Sequence, residues 1–157
     1  AITLIDAGAD IIPQHKNTTG PQQAAAEHGK YGISYTVDMS ANAPTESLTS
    51  ANWNLGPYYE ETIKQVNNGT WKSGAYWGSM KDKVVDIAPY GPAVRDETKK
   101  LSYAAKANII AGKQKVFTGP LYDQSGTEKV PAGTTLTDKE LLSMDWFIKG
   151  VDGKIQN

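Results

Sequence analysis

Two histidines, His15 and His28, are the first side chains of this 157-residue chain to ask about chemistry, because histidine alone changes charge near neutral pH without help. His28 falls in the last turn of a predicted helix, where a cation meets the helix dipole; that is an ordinary place for a solvated histidine. His15 follows the carboxyl end of a predicted parallel strand, where open α/β sheets place their ligands, so binding and structural roles are equally open to it. No second histidine or carboxylate stands three or four residues after His15, so it does not belong to a helical metal site. Nucleophile arrangements are missing as well: the chain has no cysteine, no G-x-S-x-G elbow and neither of the glycine-rich phosphate loops.

Three further positions point to recognition instead of reaction. Asp38 closes a predicted strand in Val37-Asp38-Met39-Ser40, where a carboxylate either accepts a hydrogen bond from a ligand or caps the following loop. Trp53, Tyr58, Tyr59, Trp71, Tyr76 and Trp77 crowd into 25 positions. Of these, Trp53 ends a predicted strand beside Asn52 and Asn54, a combination suited to stacking on a flat ligand whose edge the amides read. Two sequons, Asn17-Thr18-Thr19 and Asn68-Gly69-Thr70, are short enough to arise by chance and are given no role.

These residues need elements to hold them. Ala1 to Gly8 reads as the last turns of an amphipathic helix closed by Gly8, so the chain is expected to be part of a longer one. Asp10 to Gln14 reads as a short buried strand whose Pro13 demotes its end to an edge or a bend. Thr18-Thr19-Gly20-Pro21 opens a helix over Gln22–His28, ended by Gly29, and Tyr31–Val37 is β-branched and aromatic. Strand, helix and strand in so few residues form a βαβ unit, which requires a parallel sheet. A strand over Leu48–Asn54 leads to a helix from Gly56-Pro57, with Tyr59, Ile63 and Val66 along one face. Lys83–Pro89 reads as another strand, and Asp96 begins a helix with Leu101, Ala104, Ala105 and Ile109 on one face, closed by Gly112. A loop-rich hairpin around Gln124-Ser125-Gly126, a capping box at Thr137–Glu140 before a short helix, and a closing strand over Met144–Val151 complete the reading.

Composition sets the outer bounds. Sixteen basic against seventeen acidic residues leave a net charge of −1, with no basic stripe for a phosphate backbone, so nucleic acid is not an expected partner. Apolar runs span only a few residues, far short of the roughly 18 that a membrane-crossing helix needs. A chain of this length removes about 70% of its unfolded surface from water, enough for one core without disulfides.

Taken in order, Gly8-Ala9-Asp10-Ile11-Ile12-Pro13-Gln14-His15, Val37-Asp38-Met39-Ser40, Leu48-Thr49-Ser50, Trp53-Asn54, Gly56-Pro57-Tyr58-Tyr59, Gly69-Thr70-Trp71-Lys72-Ser73 and Phe117-Thr118-Gly119-Pro120 resemble the BMP (basic membrane protein) family of ABC-transporter solute-binding lipoproteins. The resemblance implies an α/β chain of the type I periplasmic-binding-protein fold, mainly its second lobe, a parallel sheet flanked by helices. Residues 1–50 and 71–157 would form that lobe, and residues 51–70 a hinge strand and helix returning to an amino-terminal lobe outside this chain. His15, Asp38 and Trp53 would face an interlobe cleft, with Thr36 and Asn52 beside them. The implied function is capture of a purine-like solute for an ABC permease in the membrane, without catalysis or cofactor. The implied location is outside the cytoplasm, in the periplasm or lipid-anchored at the cell surface, the leader not being in this chain.

The pattern also departs from the nucleoside-binding members. Thr36 stands where they carry an aspartate and Trp53 where they carry a lysine, both similar to ribose contacts, and Pro13 replaces a base-stacking phenylalanine. The combination resembles the branch associated with free nucleobases such as adenine. Two other classes compete: a ligand-sensing regulatory domain of the same fold, which a DNA-binding headpiece or transmembrane segment would favour, and a purine-processing enzyme, which lacks a nucleophile or metal set here.

Overall fold

A computed structural model describes residues 1–154, which form two compact units, one of residues 1–110 and one of the residues that follow. In the first unit, α1 (Ile2–Asp6) stops because Gly8, at φ +99°, turns the chain so that its amide and that of Ala9 return to the carbonyls of Ile5 and Leu4. β1 (Ile11–Pro13) follows, then α2 (Gly20–Glu27), entered through Pro21 and closed at Gly29 by Lys30 donating to the Ala25 carbonyl at 2.8 Å. β2 (Tyr31–Thr36) and β3 (Ser47–Trp53) come next, joined through a short 3-10 turn over Ser40–Asn42. The chain then runs through α3 (Gly56–Asn67), β4 (Val85–Ile87) and α4 (Asp96–Ile110).

The sheet order is β1-β2-β3-β4. β1, β2 and β3 are parallel, as the βαβ reading requires, whereas β4 runs antiparallel to β3, so the sheet is mixed and not wholly parallel. Pro13 lies on the edge strand, where its missing N–H costs the ladder nothing. Ile5, Ile12 and Ala25 form the hydrophobic cluster between α1, β1 and α2.

Over β2 and β3 the layer beneath α2 is polar instead. Gln22, only 1% exposed, lies on Gly32 so closely that a Cβ there would collide with its amide, and its Nε2 donates to Ser47 Oγ at 3.3 Å. Ser34 and Ser50 are buried on the same side, and Ser50 donates to the Val37 carbonyl. Gly32 is also where the β2–β3 register shifts, so the missing side chain serves both the bulge and the glutamine above it.

Two helix faces differ from the periodicity argument. Tyr59, Ile63 and Val66 are 56%, 60% and 57% exposed, and Leu101 on α4 is 74% exposed. The stripe on α3 is present as expected, but nothing in the first unit covers it. On α4 the half-buried positions are Lys99, Ser102, Ala105, Lys106 and Ile109, and the hydroxyl of Tyr90 bonds that of Ser102.

Lys106 forms an ion pair with Asp86 of β4. Partial burial pushes the Asp86 carboxyl up, but hydrogen bonds from Lys106 and the Ile87 amide, with the lysine charge, outweigh it and hold the group below the ordinary carboxylate value. A carboxyl depressed in the folded state stabilises the fold above its unfolded pKa of about 3.9 and loses that contribution as pH falls through the folded value. Urea unfolding from neutral pH downward is therefore expected to show a loss of stability below about pH 3.9 that is shallower in Lys106→Met than in the parent.

The second unit is loop-rich. β5 (Leu121–Tyr122) and β6 (Glu128–Val130) form the expected hairpin, its turn held by Asp123 accepting from the Ser125 and Thr127 amides. α5 (Asp138–Leu142) has the capping box, with the Thr137 side chain accepting from the Glu140 amide and Glu140 reaching back to the Thr137 amide at 2.8 Å. The strand expected over Met144–Val151 does not form. Ile148 makes one isolated bridge to Asp123, and Trp146 lies under Lys129, whose ammonium is 5.7 Å from the ring centroid. The short apolar run Trp146-Phe147-Ile148 does not by itself distinguish a strand from such a packed loop.

Candidate functional site

The carboxyl ends of the three parallel strands bring three rings into a row. His15, two residues past β1, lies 4.2 Å from the ring of Tyr35 near the end of β2, tilted by 34°. On its other flank Tyr35 meets Trp53, the last residue of β3, edge to face at 5.4 Å and 75°. The register explains the meeting: Tyr35 pairs with Ala51, two residues before Trp53, so both rings project from one face of the sheet. Trp53 is 50% exposed and His15 is exposed, leaving the row open on one side to a flat partner.

Tyr35 was not singled out by sequence reasoning. Within Tyr31–Val37 it is one more strand residue, and only the parallel register, with its shift after Gly32, sets it between His15 and Trp53. The sequence signal that existed was period two: Tyr31, Ile33 and Tyr35 share a face.

Thr36 ends β2 in the left-handed region, φ +70°, a conformation that β-branched residues avoid. Its hydroxyl donates to Asn17 Oδ1 at 2.8 Å, which ties the loop carrying His15 to the end of β2. Asn17, read from sequence only as a sequon, thus braces the row. Such strain on a non-glycine residue is characteristic of ligand-facing segments that their surroundings over-determine.

Asp38 is exposed, and one carboxylate oxygen accepts from the Ser40 amide at 2.9 Å, capping the turn over Ser40–Asn42. That is the loop-cap geometry; it leaves the second oxygen free of protein partners among the described residues. Asn52 is half-buried and pairs in register with Thr36 on one side and Asp86 on the other, so these three share a sheet face. The structure therefore brings His15 and Trp53 together through Tyr35, places Thr36 and Asn52 on the face opposite Tyr35, and sets Asp38 in the following turn. His28, by contrast, bonds the Ala24 carbonyl at 2.8 Å within its own helix, away from the row.

Among the described residues no group of three or more carboxylates and histidines is arranged to hold a metal, and no helix is long and apolar enough to cross a membrane. The row offers π-faces, one imidazole and hydroxyl or amide groups, but no activated nucleophile. Those groups suit stacking on, and hydrogen bonding to, a flat molecule.

Comparison with known proteins gives this geometry a setting. Residues 1–124 match the Bmp family model, described as ABC transporter substrate-binding protein PnrA-like. A purine-binding protein of Brucella abortus is 39% identical over 99% of this chain, and a protein of Haloferax volcanii, named as a candidate ABC transporter glucose-binding protein, is 26% identical over the same share. The chain spans 44% and 37% of the lengths of those two relatives. Among solved structures, a transcriptional activator of the comK gene from Bacillus halodurans superposes on 73% of the chain with a TM-score of 0.64 at 22% identity, covering 41% of that protein. An ABC transporter solute-binding protein from Conexibacter woesei covers the same 73% with a TM-score of 0.56 at 19% identity, over 39% of its own length. At those identities the likeness establishes the α/β fold.

Proposed function

Since the chain belongs to the Bmp family of PnrA-like ABC transporter substrate-binding proteins, we propose that it supplies one wall of a cleft in which a larger receptor captures a purine base for a membrane permease. The observation that carries this reading is the His15–Tyr35–Trp53 row across the ends of three parallel strands. A flat heterocycle stacks on such a row, and base stacking on aromatic side chains contributes about 1–3 kcal/mol per base. The purine-binding name of the Brucella relative supports the ligand class.

Adenine is the first expected ligand, ahead of its nucleoside. Thr36 brings no charge to seek a pair of ribose hydroxyls, and the Trp53 indole occupies the space beside Tyr35 that a sugar would need. His15, Trp53 and the added Tyr35 are the proposed stacking contacts, and Asp38, Thr36 and Asn52 are proposed to meet the edge of the ligand from beyond the strand ends. Residues 1–50 and 71–157 are assigned to the second lobe of the receptor and residues 51–70 to the hinge strand and the helix returning to the first. The bare stripe of Tyr59, Ile63 and Val66 suits a helix whose covering lies elsewhere in the receptor. Family membership supports an extracytoplasmic location, with the protein acting as a carrier and not as an enzyme.

Calorimetric titration of the complete receptor with adenine, adenosine, guanine and guanosine tests the reading. Adenine is expected to bind at least about tenfold more tightly than adenosine, which corresponds to about 1.4 kcal/mol. Tighter binding of adenosine would return the protein to the nucleoside-binding branch, and turnover of either compound would make it an enzyme.

A further inference from the structure

Gln14 lies between β1 and His15 and is not among the proposed ligand contacts. Its backbone amide donates to the Ile33 carbonyl at 3.1 Å, which fixes the residue to β2 just past the end of β1. Its half-buried side chain then reaches in two directions. Nε2 donates to the Thr18 carbonyl at 3.1 Å, closing a ring of chain around His15, Lys16 and Asn17. The same nitrogen donates to Met39 Sδ at 3.6 Å, across 25 positions. A carboxamide nitrogen carries two hydrogens, so both contacts form together.

Met39 is 5% exposed and stands between Asp38 and Ser40, the two residues joined by the cap of the turn. Its carbonyl accepts from the Asn42 amide at 2.9 Å, which makes Met39 part of the turn that carries Asp38. The Gln14 side chain thus connects the loop of His15 to the turn of Asp38. The bond between Asn17 and Thr36 ties the same loop to β2 but does not reach the turn.

The oxygen of the same carboxamide works against the fold. Gln14 Oε1 is buried with no partner among the described residues, an arrangement that costs free energy. A thioether sulfur is also a weak acceptor. The group therefore adds little net stability, and what its bonds fix is the separation of two loops.

We infer that Gln14 is a positioning residue for ligand capture, clasping the His15 loop to the Asp38 turn so that the ring on one and the carboxylate on the other reach the same flat ligand. The inference rests on the purine reading and deepens it. Holding both loops before the ligand arrives removes an ordering cost from binding. Gln14 acts through His15 and Asp38 and does not itself touch the ligand.

Gln14→Met keeps the length of the side chain and removes both donors together with the unpaired oxygen. In the complete receptor it is expected to weaken adenine binding by about fivefold, the scale on which ordering one or two side chains reduces affinity. Its melting temperature should stay within about 2 °C of the parent, because the lost bonds and the relieved oxygen nearly cancel. Met39→Leu keeps the buried volume and removes the acceptor. Alone it should weaken binding about twofold, and in the Gln14→Met background not at all, as two changes to one contact do not add. In the ligand-free receptor, NMR relaxation of the backbone amides should show order lost in Gln14→Met over residues 15–18 and 38–40 together, with α2 and β2 unchanged.

Unchanged adenine affinity in Gln14→Met would overturn the proposal. So would a fall in melting temperature with affinity retained, which marks a purely structural residue, or order lost in one loop alone. A parent that does not bind adenine would overturn the purine reading instead, and the relaxation data, taken without ligand, would then decide the clasp by themselves.

Discussion

Trp53→Ala in the complete receptor is expected to weaken adenine binding by roughly five- to 150-fold, the span of about 1–3 kcal/mol that base stacking contributes. The indole is half exposed, so its loss removes little buried surface and should move the melting temperature only slightly. It also removes the edge-to-face partner of Tyr35, which frees that ring to leave the row, so the loss should lie toward the upper part of the span. Trp53→Phe keeps a π-face and is expected to recover most of the affinity. Calorimetry on the three proteins, with the unfolding midpoint recorded for each, checks the result. Equal adenine affinity in Trp53→Ala would remove the row from the binding site.

Gly91→Ala is expected to destabilise the fold by about 3 kcal/mol, near the top of the usual range for overpacking a well-filled interior. A Cβ on Gly91 would lie 3.0 Å from the carbonyl carbon of Ser47 and would overlap its oxygen. Both belong to the backbone of β3, so no rotamer change relieves the clash, and Gly91 also donates its amide to the Leu48 carbonyl at 2.9 Å. For a chain of this size 3 kcal/mol is a fall of roughly 6–12 °C in melting temperature. Gly112→Ala makes a useful contrast: φ is +68° there, but nothing stands within 4 Å, so only the backbone preference is lost, about 1 kcal/mol. Differential scanning calorimetry of both variants checks the ordering. A smaller loss in Gly91→Ala than in Gly112→Ala would mean that the segment after β4 is not packed on β3 as described.

Those two substitutions also mark where sequence and structure part. Features with a short range could be read directly. Pro57 in the first turn of α3, the reciprocal cap of Thr137 and Glu140, Gly8 and Gly29 past their helices, and the β1-α2-β2 crossover each depend on residues a few positions apart. Gly91 gave no such signal, because the atoms it meets lie more than 40 positions earlier in the chain.

The same reason explains the other differences. Val84-Val85-Asp86-Ile87 announces a strand but not its direction, since antiparallel pairing with β3 depends on how the intervening segment returns. Gln22 looks like a solvated helix residue until Gly32 supplies the space that lets it be buried. Of the candidate site, His15 and Trp53 were legible from their places at strand ends. Tyr35 was not, since its role is created by two neighbours on other strands. Asn17 was hidden for a similar reason, as its partner Thr36 is 19 positions away.

The route between β3 and β4 has one more implication. Residues 54–84 leave the sheet at Trp53 and return at Val85, which are register partners, and Asn54 donates to the Val84 carbonyl at 2.7 Å. The ends of this excursion are held one hydrogen bond apart whatever happens between them. Because loop-closure entropy grows only slowly with length, about 0.6 kcal/mol per doubling, the excursion can be lengthened, shortened or exchanged with little penalty to the sheet beneath it. It has the geometry of a cassette, a stretch that evolution or an engineer can swap between relatives as a unit while the strands carrying Tyr35 and Trp53 keep their register.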